Sequence, residues 1–397
     1  MMKNFLILLK REFKLFFKDT TLLSVFILAP VLYAVIFGFV YSEGKLQDLP
    51  VIVVDQDNTP LSNQLIDMLN DNEKLKVVEV KYDNIGTNDD LLKYKAVIVV
   101  VIPERFEASV LQKRYPEINT YINTTNLLTA NMASQGVQTT LGTFNAGIDI
   151  QSLKKTGKNN IQAASQYEPF KVNYIRLFNE SGNYLSYMWP GVLAVILQQV
   201  LLLGLAVSFS REYENKTFNS ELLNRTRSAF TAIMVKVLPF WILTVFTLGM
   251  FYMFHFIFKA PVPSPLGKYV VTTALFVGSI SFLGVTVSAL LPSSLKATQV
   301  LMLMATPAFI IGGYSWPLEA MPAGVRFLAN IIPLTPFLNA HKLMLFQNAE
   351  LYQVTEYLRH LVILLVVYGI LAFAAVKIKM FRELRSKRRE EEGNANS

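Results

Sequence analysis

Six stretches of about twenty apolar residues constrain this 397-residue chain more than any other feature. A helix of that length crosses a hydrocarbon core of about 30 Å. The central part of each stretch lacks Asp, Glu, Lys and Arg. A purely soluble enzyme, a disordered chain and a fibrous repeat are therefore excluded. We predict six transmembrane helices, over 21–42, 184–209, 237–258, 269–291, 298–316 and 357–377.

Residues 1–20 predict an amphipathic helix that lies in the membrane interface. At about 100° per residue, five basic side chains fall on one side of the helix. Phe5, Leu9, Phe13 and Phe16 fall on the other side. The alternative is a solvated N-terminal extension. The basic side chains are Lys3, Lys10, Arg11, Lys14 and Lys18.

The distribution of charge predicts the orientation. With a cytoplasmic N-terminus, eighteen Lys and Arg residues lie on the cytoplasmic side and five lie in the short outer loops. This bias follows the positive-inside rule. It also accounts for the formal net charge of +8 through topology and anionic lipid headgroups, so that a nucleic-acid partner is not needed.

Residues 43–180 predict a water-facing α/β domain outside the membrane. They hold fourteen Lys and Arg and seventeen Asp and Glu residues. Apolar runs at 51–54, 75–80, 96–102 and 118–122 predict strands, and the intervening segments have helical spacing. This alternation favours a mixed or parallel sheet. From 127 to about 166 the pattern is polar and helical, either as long helices returning to the membrane, which would pack against a second copy, or as a flexible connector.

The sequence lacks the common motifs of nucleotide-binding and catalytic sites. The sequence has no Gly-x-x-x-x-Gly-Lys-Ser/Thr phosphate loop and no Gly-x-Ser-x-Gly turn. Without cysteine it has neither a disulfide framework nor a thiolate metal site. Asp55 and Asp57 lack the remaining ligands of a calcium loop, and we interpret them as turn residues. We therefore predict no catalytic, cofactor-binding or metal-binding residue in this chain.

Ion coupling is also disfavoured. Ion-coupled carriers hold an ionisable group at membrane depth, and the six predicted spans contain no carboxylate. Gln198 and Gln199 lie in the middle of the second span, where neutral amides favour hydrogen bonds between helices. A transporter of this kind needs an external source of energy.

Several motifs resemble permeases of the ATP-binding-cassette (ABC) type-2 exporter family. The loop after the second span is similar to the family's Arg-Glu-x-Glu-x-Gly-Thr-Leu motif, and Lys236 and Pro239 match the Gly-Lys-x-x-Pro that follows it. Lys216 and Val235 stand where the family has glycine, and Lys216 argues against a tight backbone turn there. The matching stretches are Trp189-Pro190-Gly191-Val192-Leu193, Arg211-Glu212-Tyr213-Glu214-Asn215-Lys216-Thr217-Phe218, Glu221-Leu222-Leu223, Gly312-Gly313-Tyr314-Ser315-Trp316-Pro317 and Ile332-Pro333-Leu334-Thr335-Pro336.

The resemblance implies a polytopic α-helical permease with six transmembrane helices, of the subgroup with a large extracytoplasmic domain after the first helix. It implies a short coupling helix in the loop 210–228 that docks on a separate ABC ATPase, which binds ATP and Mg. It also implies two permease copies, identical or paralogous, with the substrate path at their interface. The implied coupling residues are Arg211, Glu212, Glu214, Thr217, Phe218, Glu221 and Leu222. The candidate path or dimer-interface residues are Phe26, Tyr33, Phe37, Tyr187, Gln198 and Phe309.

The segment 317–347 is apolar but is broken by prolines, so it cannot form one spanning helix. We predict two short re-entrant helices dipping from the outer face, and a surface amphipathic loop is the alternative. The residues that define this element are Gly312, Gly313, Pro317, Pro322, Pro333 and Pro336.

Our first hypothesis is the permease of an ATP-driven exporter, for multidrug or lipid efflux, in a bacterial cytoplasmic membrane. Both termini and a charged tail, 381–397, would be cytoplasmic, and five of the helices would lie within 181–380. An apolar or amphipathic cargo is favoured by the aromatic path residues. The alternative is a membrane-anchored scaffold whose outer domain binds an envelope component, and an envelope adaptor is a further possible partner.

Overall fold

The computed structural model describes residues 2–82, 87–114, 116–155, 157, 159, 177–179 and 182–395. The chain divides into two compact units, Met1–Gly44 with Arg176–Ser397, and Lys45–Ile175. The predicted helical stretch 127–166 is helical up to Lys155, and most of its remainder lies outside the described residues. Each unit is described by itself below.

The inserted unit is built on a four-stranded mixed sheet. Its strands are β1 (Leu49–Asp55), β2 (Leu75–Lys81), β3 (Ile98–Ile102) and β4 (Asn119–Ile122), in the order β2-β1-β3-β4. β1 pairs in parallel with β2 and β3, whereas β4 pairs antiparallel with β3. Both faces of the two central strands are buried, and their continuous apolar runs are typical of such strands.

Helices cover this sheet. The face carrying Val51, Val53 and Val100 packs on Leu65 and Phe144, while the opposite face carries Ile52 and Val54. The described helices of this unit are α4 (Pro60–Asn70), α5 (Thr87–Lys93), α6 (Phe106–Leu111) and α7 (Leu127–Lys155).

The two aspartates after β1 shape a turn. The Asp55 carboxylate accepts hydrogen bonds from the amides of Asp57 and Asn58 and from the Ser62 hydroxyl. The Asp57 carboxylate accepts from the Thr59 hydroxyl and the Glu107 amide. Their oxygens therefore hold the start of α4 and the neighbouring loop, as expected of turn aspartates.

The second unit contains, within the described residues, six helices long and apolar enough to cross a membrane, so the predicted fold class is confirmed. They are Thr20–Val40, Tyr184–Glu214, Ala229–Ile257, Leu266–Leu290, Ser294–Ile311 and Thr355–Ser386. Of the most apolar window of the second helix, 78% is buried inside the subunit, against 22% for the first and the fifth. The second helix is therefore the central one.

In detail, α1 (Met2–Lys18) precedes the first membrane helix, which consists of α2 (Thr20–Leu23), a π-helical turn (Ser24–Leu28) and α3 (Ala29–Val40). The π turn ends two residues before Pro30, which has no N–H to continue the helical hydrogen bonds. The next membrane helices are α8 (Tyr184–Glu214), α9 (Ala229–Ile257) and α10 (Leu266–Leu290). The fifth is α11 (Ser294–Ala305) with α12 (Ala308–Ile311), interrupted around Pro307, and the sixth belongs to α15 (Thr355–Ala395).

Prolines also divide the segment 317–347, where the sequence predicts two short helices. The structure has a 3₁₀ turn (Leu318–Ala320), α13 (Ala323–Asn330) and α14 (Leu334–Phe346). The boundaries of the membrane helices also differ from prediction, two of them by more than five residues. α9 begins eight residues before position 237, because the Ser228 side chain caps its first turn. α15 continues helically to Ala395, so the predicted tail 381–397 is an extension of the sixth helix as far as it is described.

Close packing of the first three membrane helices depends on Gly204. A Cβ at this position would lie 2.5 Å from Phe26 Cε2 and 2.6 Å from Phe240 Cε1, and both rings are buried. Small residues commonly allow membrane helices to approach in this way.

We predict that Gly204→Ala lowers the stability of the full-length chain in detergent by about 1–3 kcal/mol, because the buried rings must shift. Gly249→Ala is the matched control, since a Cβ there meets nothing within 4 Å. Thermal unfolding of both purified variants measures the effect. An equal or higher midpoint for Gly204→Ala than for Gly249→Ala would contradict this packing.

Candidate functional site

Four segments meet around one buried carboxylate. They are α1, the end of α8, the connecting loop 215–228 and the beginning of α9. The carboxylate belongs to Glu212, whose side chain is only 2% exposed. We call the residues around it the ion-pair network: Arg11, Glu12, Glu212, Thr217, Glu221 and Lys236.

Glu212 is held by three donors. Arg11 donates from Nη1 to Oε1 at 2.7 Å and from Nη2 to Oε2 at 3.0 Å, which is a bidentate pair. Lys236 Nζ donates to Oε1 at 2.5 Å, and the Thr217 hydroxyl donates to Oε2 at 2.5 Å. One side chain thus joins α1, the loop and α9 to the end of α8.

Glu12 balances the charge of this centre. Lys236 Nζ lies 2.9 Å from both of its carboxylate oxygens, and Arg11 Nη1 lies 3.0 Å from Oε1. Two cations therefore face two carboxylates. Removing one partner of a buried pair leaves an uncompensated charge, which commonly costs about 3–5 kcal/mol. The charges consequently fix the four segments to one another.

The electrostatics of Arg11 reflect this pairing. Burial opposes its charge, but hydrogen bonding to Glu212 and attraction to the surrounding glutamates hold its pKa above the ordinary value. Arg11 Nε also contacts Glu221 Oε2 at 2.5 Å, and Glu221 lies in the loop. The loop is thus tied to α1 directly as well as through Glu212.

Arg211 forms a separate contact with the first membrane helix. Its guanidinium pairs with Asp19, whose carboxylate also accepts from the amides of Thr21 and Leu22 and caps α2. Burial opposes ionisation of Asp19, yet the backbone hydrogen bonds and Arg211 lower its pKa below the ordinary value. The end of α8 is therefore linked to the start of the first membrane helix.

Glu214 links α8 to the fifth membrane helix. Its carboxylate accepts from the amide and the hydroxyl of Ser294, both at 2.7 Å. A carboxylate at this position also favours the helix N-terminus electrostatically. Glu214 thus connects the beginning of the loop to α11.

The predicted coupling helix is a π-helical turn, Phe218–Leu223. Phe218 and Leu222, two of the implied coupling residues, are buried within the chain. Their apolar side chains anchor the turn to the subunit, with Phe218 against the rings of Phe209 and Tyr213. The residues of the loop that are exposed to solvent are Asn215, Lys216, Asn219, Ser220, Glu221, Asn224, Arg225 and Arg227.

Lys216 makes the tight turn despite its side chain. Its φ is +56°, in the left-handed region that glycine adopts readily. The sequence expectation that Lys216 argues against a tight turn is therefore wrong. The conformation is retained at a local cost in backbone strain.

The candidate path residues are divided between core and surface. Phe26 packs against Phe16 and Phe240 in the core. Gln198 is 1% exposed, and neither of its amide atoms has a hydrogen-bond partner within the described part of the chain. Both side chains are thus buried within this chain, and their assignment to a path or dimer interface stays a prediction. Tyr33 is exposed, while Phe37, Tyr187 and Phe309 are half-buried, and their assignment to a path stays a prediction.

Tyr187 contacts the segment after the fifth membrane helix. Its hydroxyl donates to the Tyr314 carbonyl at 2.6 Å, and the Tyr314 hydroxyl donates in return to the Tyr187 carbonyl. The ring of Tyr314 occupies the space that a side chain at Gly191 would fill. Gly313, at φ +82°, allows the turn that presents Tyr314. Tyr314, which follows Gly312 and Gly313 of the predicted re-entrant element, therefore adjoins the start of α8.

Sequence reasoning missed the partners of Glu212. It placed Arg11 in a basic stripe facing lipid headgroups, whereas only 17% of the Arg11 side chain is exposed. Lys3, Lys10, Lys14 and Lys18 are exposed, as an interfacial stripe requires. One signal was available, because Glu12 is the single acidic residue of α1. A single carboxylate next to Arg11 indicates that Arg11 pairs with buried protein groups rather than with lipid headgroups.

The six apolar helices define a multi-pass α-helical membrane protein. The chain belongs to the ABC-2 transporter family, since the family described as "ABC-2 family transporter protein" matches residues 20–374. The resemblance to ABC type-2 permeases is thereby confirmed, whereas the subgroup with an extracytoplasmic domain stays a prediction.

Three relatives illustrate the similarity. "Inner membrane transport permease YhhJ" of Escherichia coli (strain K12) is 22% identical over 333 residues, which cover 80% of this chain and 84% of YhhJ. "Linearmycin resistance permease protein LnrN" of Bacillus subtilis (strain 168) is 23% identical over 347 residues, covering 84% and 88%. "Probable multidrug ABC transporter permease YbhR" of Escherichia coli (strain K12) is 19% identical over 377 residues, covering 94% and 98%.

We predict that Lys216→Gly stabilises the chain by about 0.5–1 kcal/mol, because it relieves the left-handed strain by more than the added flexibility of the unfolded chain costs. Lys14→Gly is the matched control, since Lys14 is an exposed residue inside α1, where glycine costs about 1 kcal/mol. Thermal unfolding in detergent should move the two midpoints in opposite directions. A lower midpoint for both variants would show that the turn at Lys216 is not strained.

Proposed function

We propose that this chain is the permease subunit of an ATP-driven exporter, and that it works with a separate ATPase subunit and a second permease copy. Membership of the ABC-2 transporter family supports the transport role. The observation that carries the coupling role is the bidentate contact of Arg11 with Glu212, together with Lys236 on the same carboxylate. A force on the loop then reaches α1, α8 and α9 together.

The exposed face of the loop is the surface on which the ATPase docks. Because Phe218 and Leu222 are buried, the contact is made by the polar residues of the turn and of its flanks, among them Lys216, Ser220 and Asn224. Movement of this face displaces the end of α8 through the ion-pair network and displaces α11 through Glu214 and Ser294. Buried charged groups favour such rigid transmission, because separating them is costly.

The orientation in the membrane follows from the lengths of the helices and from the charges. α8 has 31 residues and is about 46 Å long, so its end with the network extends past a hydrocarbon core of about 30 Å. Lys and Arg residues are concentrated on this side of the chain. In a bacterial cytoplasmic membrane this side faces the cytoplasm, where ATP and Mg bind to the partner ATPase, and the inserted unit lies outside.

An apolar or amphipathic cargo is the class that we propose. The first membrane helix exposes Tyr33 and Phe39 together with aliphatic side chains, and only 22% of its most apolar window is buried. The name of YbhR includes the word multidrug and that of LnrN includes linearmycin resistance, and these names support a proposal of small-molecule cargo. A path between two copies that includes this helix would present aromatic rings to the cargo.

We predict that Ser220→Arg weakens binding of the ATPase subunit at least about tenfold, which corresponds to 1.4 kcal/mol, because the added side chain disturbs the docking face. The hydroxyl of Ser220 makes one exposed contact, to the Lys216 carbonyl, so the fold should be retained. The measurement is the affinity between the tagged full-length permease and the ATPase subunit that co-purifies with it, together with ATP turnover in proteoliposomes.

Gln138→Arg is the matched control, since it adds the same side chain at an exposed position of α7 in the inserted unit. Unchanged affinity and turnover in Ser220→Arg would contradict docking on this loop. If no ATPase subunit co-purifies with the wild-type chain, the result favours a membrane-anchored scaffold instead.

A further inference from the structure

The sixth membrane helix is far longer than a membrane crossing requires. α15 runs for 41 residues and is about 60 Å long, twice the hydrocarbon thickness of about 30 Å. Its second half therefore lies beyond the membrane, at the end where the loop 215–228 lies. We call residues 377–386 of this helix, whose side chains the structure describes, the α15 extension.

The α15 extension contacts the π-helical turn of the loop. Glu383 Oε2 accepts a hydrogen bond from Asn219 Nδ2 at 2.7 Å. Lys379 Nζ lies 4.5 Å from the centre of the Tyr213 ring, which is a cation–π distance. Lys379 and Glu383 also face each other at 3.8 Å, one helical turn apart. Two adjacent side chains of the extension thus meet the end of α8 and the exposed face of the turn.

Apolar packing holds the extension in place beneath these contacts. Met380 is 4% exposed, and Leu384 packs against the core of the same unit. Met380 and Leu384 directly follow Lys379 and Glu383 in this helix, so the apolar anchor and the polar contact with the loop lie on neighbouring faces. The extension therefore has a fixed position beside the loop.

We propose that the α15 extension is a second clamp on the coupling loop, in which Glu383 is a positioning residue that sets the angle of the docking turn through Asn219. This inference rests on the proposed function. It adds the sixth membrane helix to the elements that respond when the ATPase moves the loop. In a family where the loop itself is the expected coupling element, the geometry assigns part of that role to the last helix.

The two clamps differ in strength. The centre of the ion-pair network is buried, with Glu212 at 2% exposure and Lys236 at 3%. Glu383 is 31% exposed and Lys379 is 32% exposed, so water competes for their contacts. Exposed polar contacts are commonly weak and can be broken by modest forces. The network therefore keeps the loop attached to α1 and α9, while the α15 extension holds the loop in one position and can release it.

A charge exchange tests this clamp. Glu383→Lys removes the acceptor of Asn219, and Asn219→Asp places a second carboxylate beside Glu383. Each single variant should reduce permease-stimulated ATP turnover about three- to tenfold, the range expected for one hydrogen bond to a charged group in a partly exposed site. Combining the two changes places the new carboxylate of the loop opposite the new ammonium group of the helix and should restore most of the turnover.

The experiment uses the full-length permease with its co-purified ATPase subunit in proteoliposomes, and it measures affinity, turnover at saturating ATPase and thermal stability. Arg385→Glu is the matched control, since Arg385 is exposed on the same helix and the reversal of charge is equally large. We expect lower turnover and an unchanged unfolding midpoint for both single variants, and an unchanged affinity for Glu383→Lys, which lies outside the docking turn. A merely structural contact would instead lower the midpoint and the folded yield.

Wild-type turnover in Glu383→Lys, or failure of the double variant to recover, would overturn the clamp. Ser220→Arg separates this result from a failure of the proposed function. If Ser220→Arg loses ATPase binding while Glu383→Lys behaves as wild type, docking on the loop stands and only the clamp is wrong. If neither variant changes binding or turnover, the proposed function fails as well.

Discussion

Four charges at the junction of α1, α8 and α9, two of them fully buried and two largely buried, hold these three helices to one another. Arg11 and Lys236 face Glu12 and Glu212, and no member of the set can leave without exposing an uncompensated charge in a poorly solvated site. The network consequently makes one rigid unit of a helix before the first crossing, the end of the central helix and the beginning of the third. The loop is attached to this unit through Thr217 and Glu221.

The position of the loop is important because the loop is attached to this rigid unit. The short π-helical turn buries its apolar side chains inward and presents polar ones outward, so a partner can push on the turn without unfolding it. Glu214 contacts the fifth membrane helix, and Asn219 contacts the extension of the sixth. Each of the elements that contact the loop therefore continues into a membrane-spanning helix, or is packed on one.

The pattern of apolar residues predicted those helices and strands whose burial is visible within a single segment of the sequence. It located all six membrane helices and the buried runs of β1 and β3, because such segments show their environment in a few consecutive residues. It did not predict that Arg11 turns inward, because its partners lie about two hundred residues away in the chain. It also misjudged Lys216, since tertiary contacts can hold a non-glycine residue in a left-handed turn.

The most direct test of the central claim is a distance measurement across the network. The chain has no cysteine, so spin labels can be attached at Lys10→Cys in α1 and at Arg227→Cys, an exposed position at the end of the loop, with one labelled permease copy in each complex. If the ion-pair network makes α1 and the loop one rigid unit, the distance between the labels is the same with and without nucleotide on the ATPase. A nucleotide-dependent change in that distance, with the loop moving away from α1, would contradict the account.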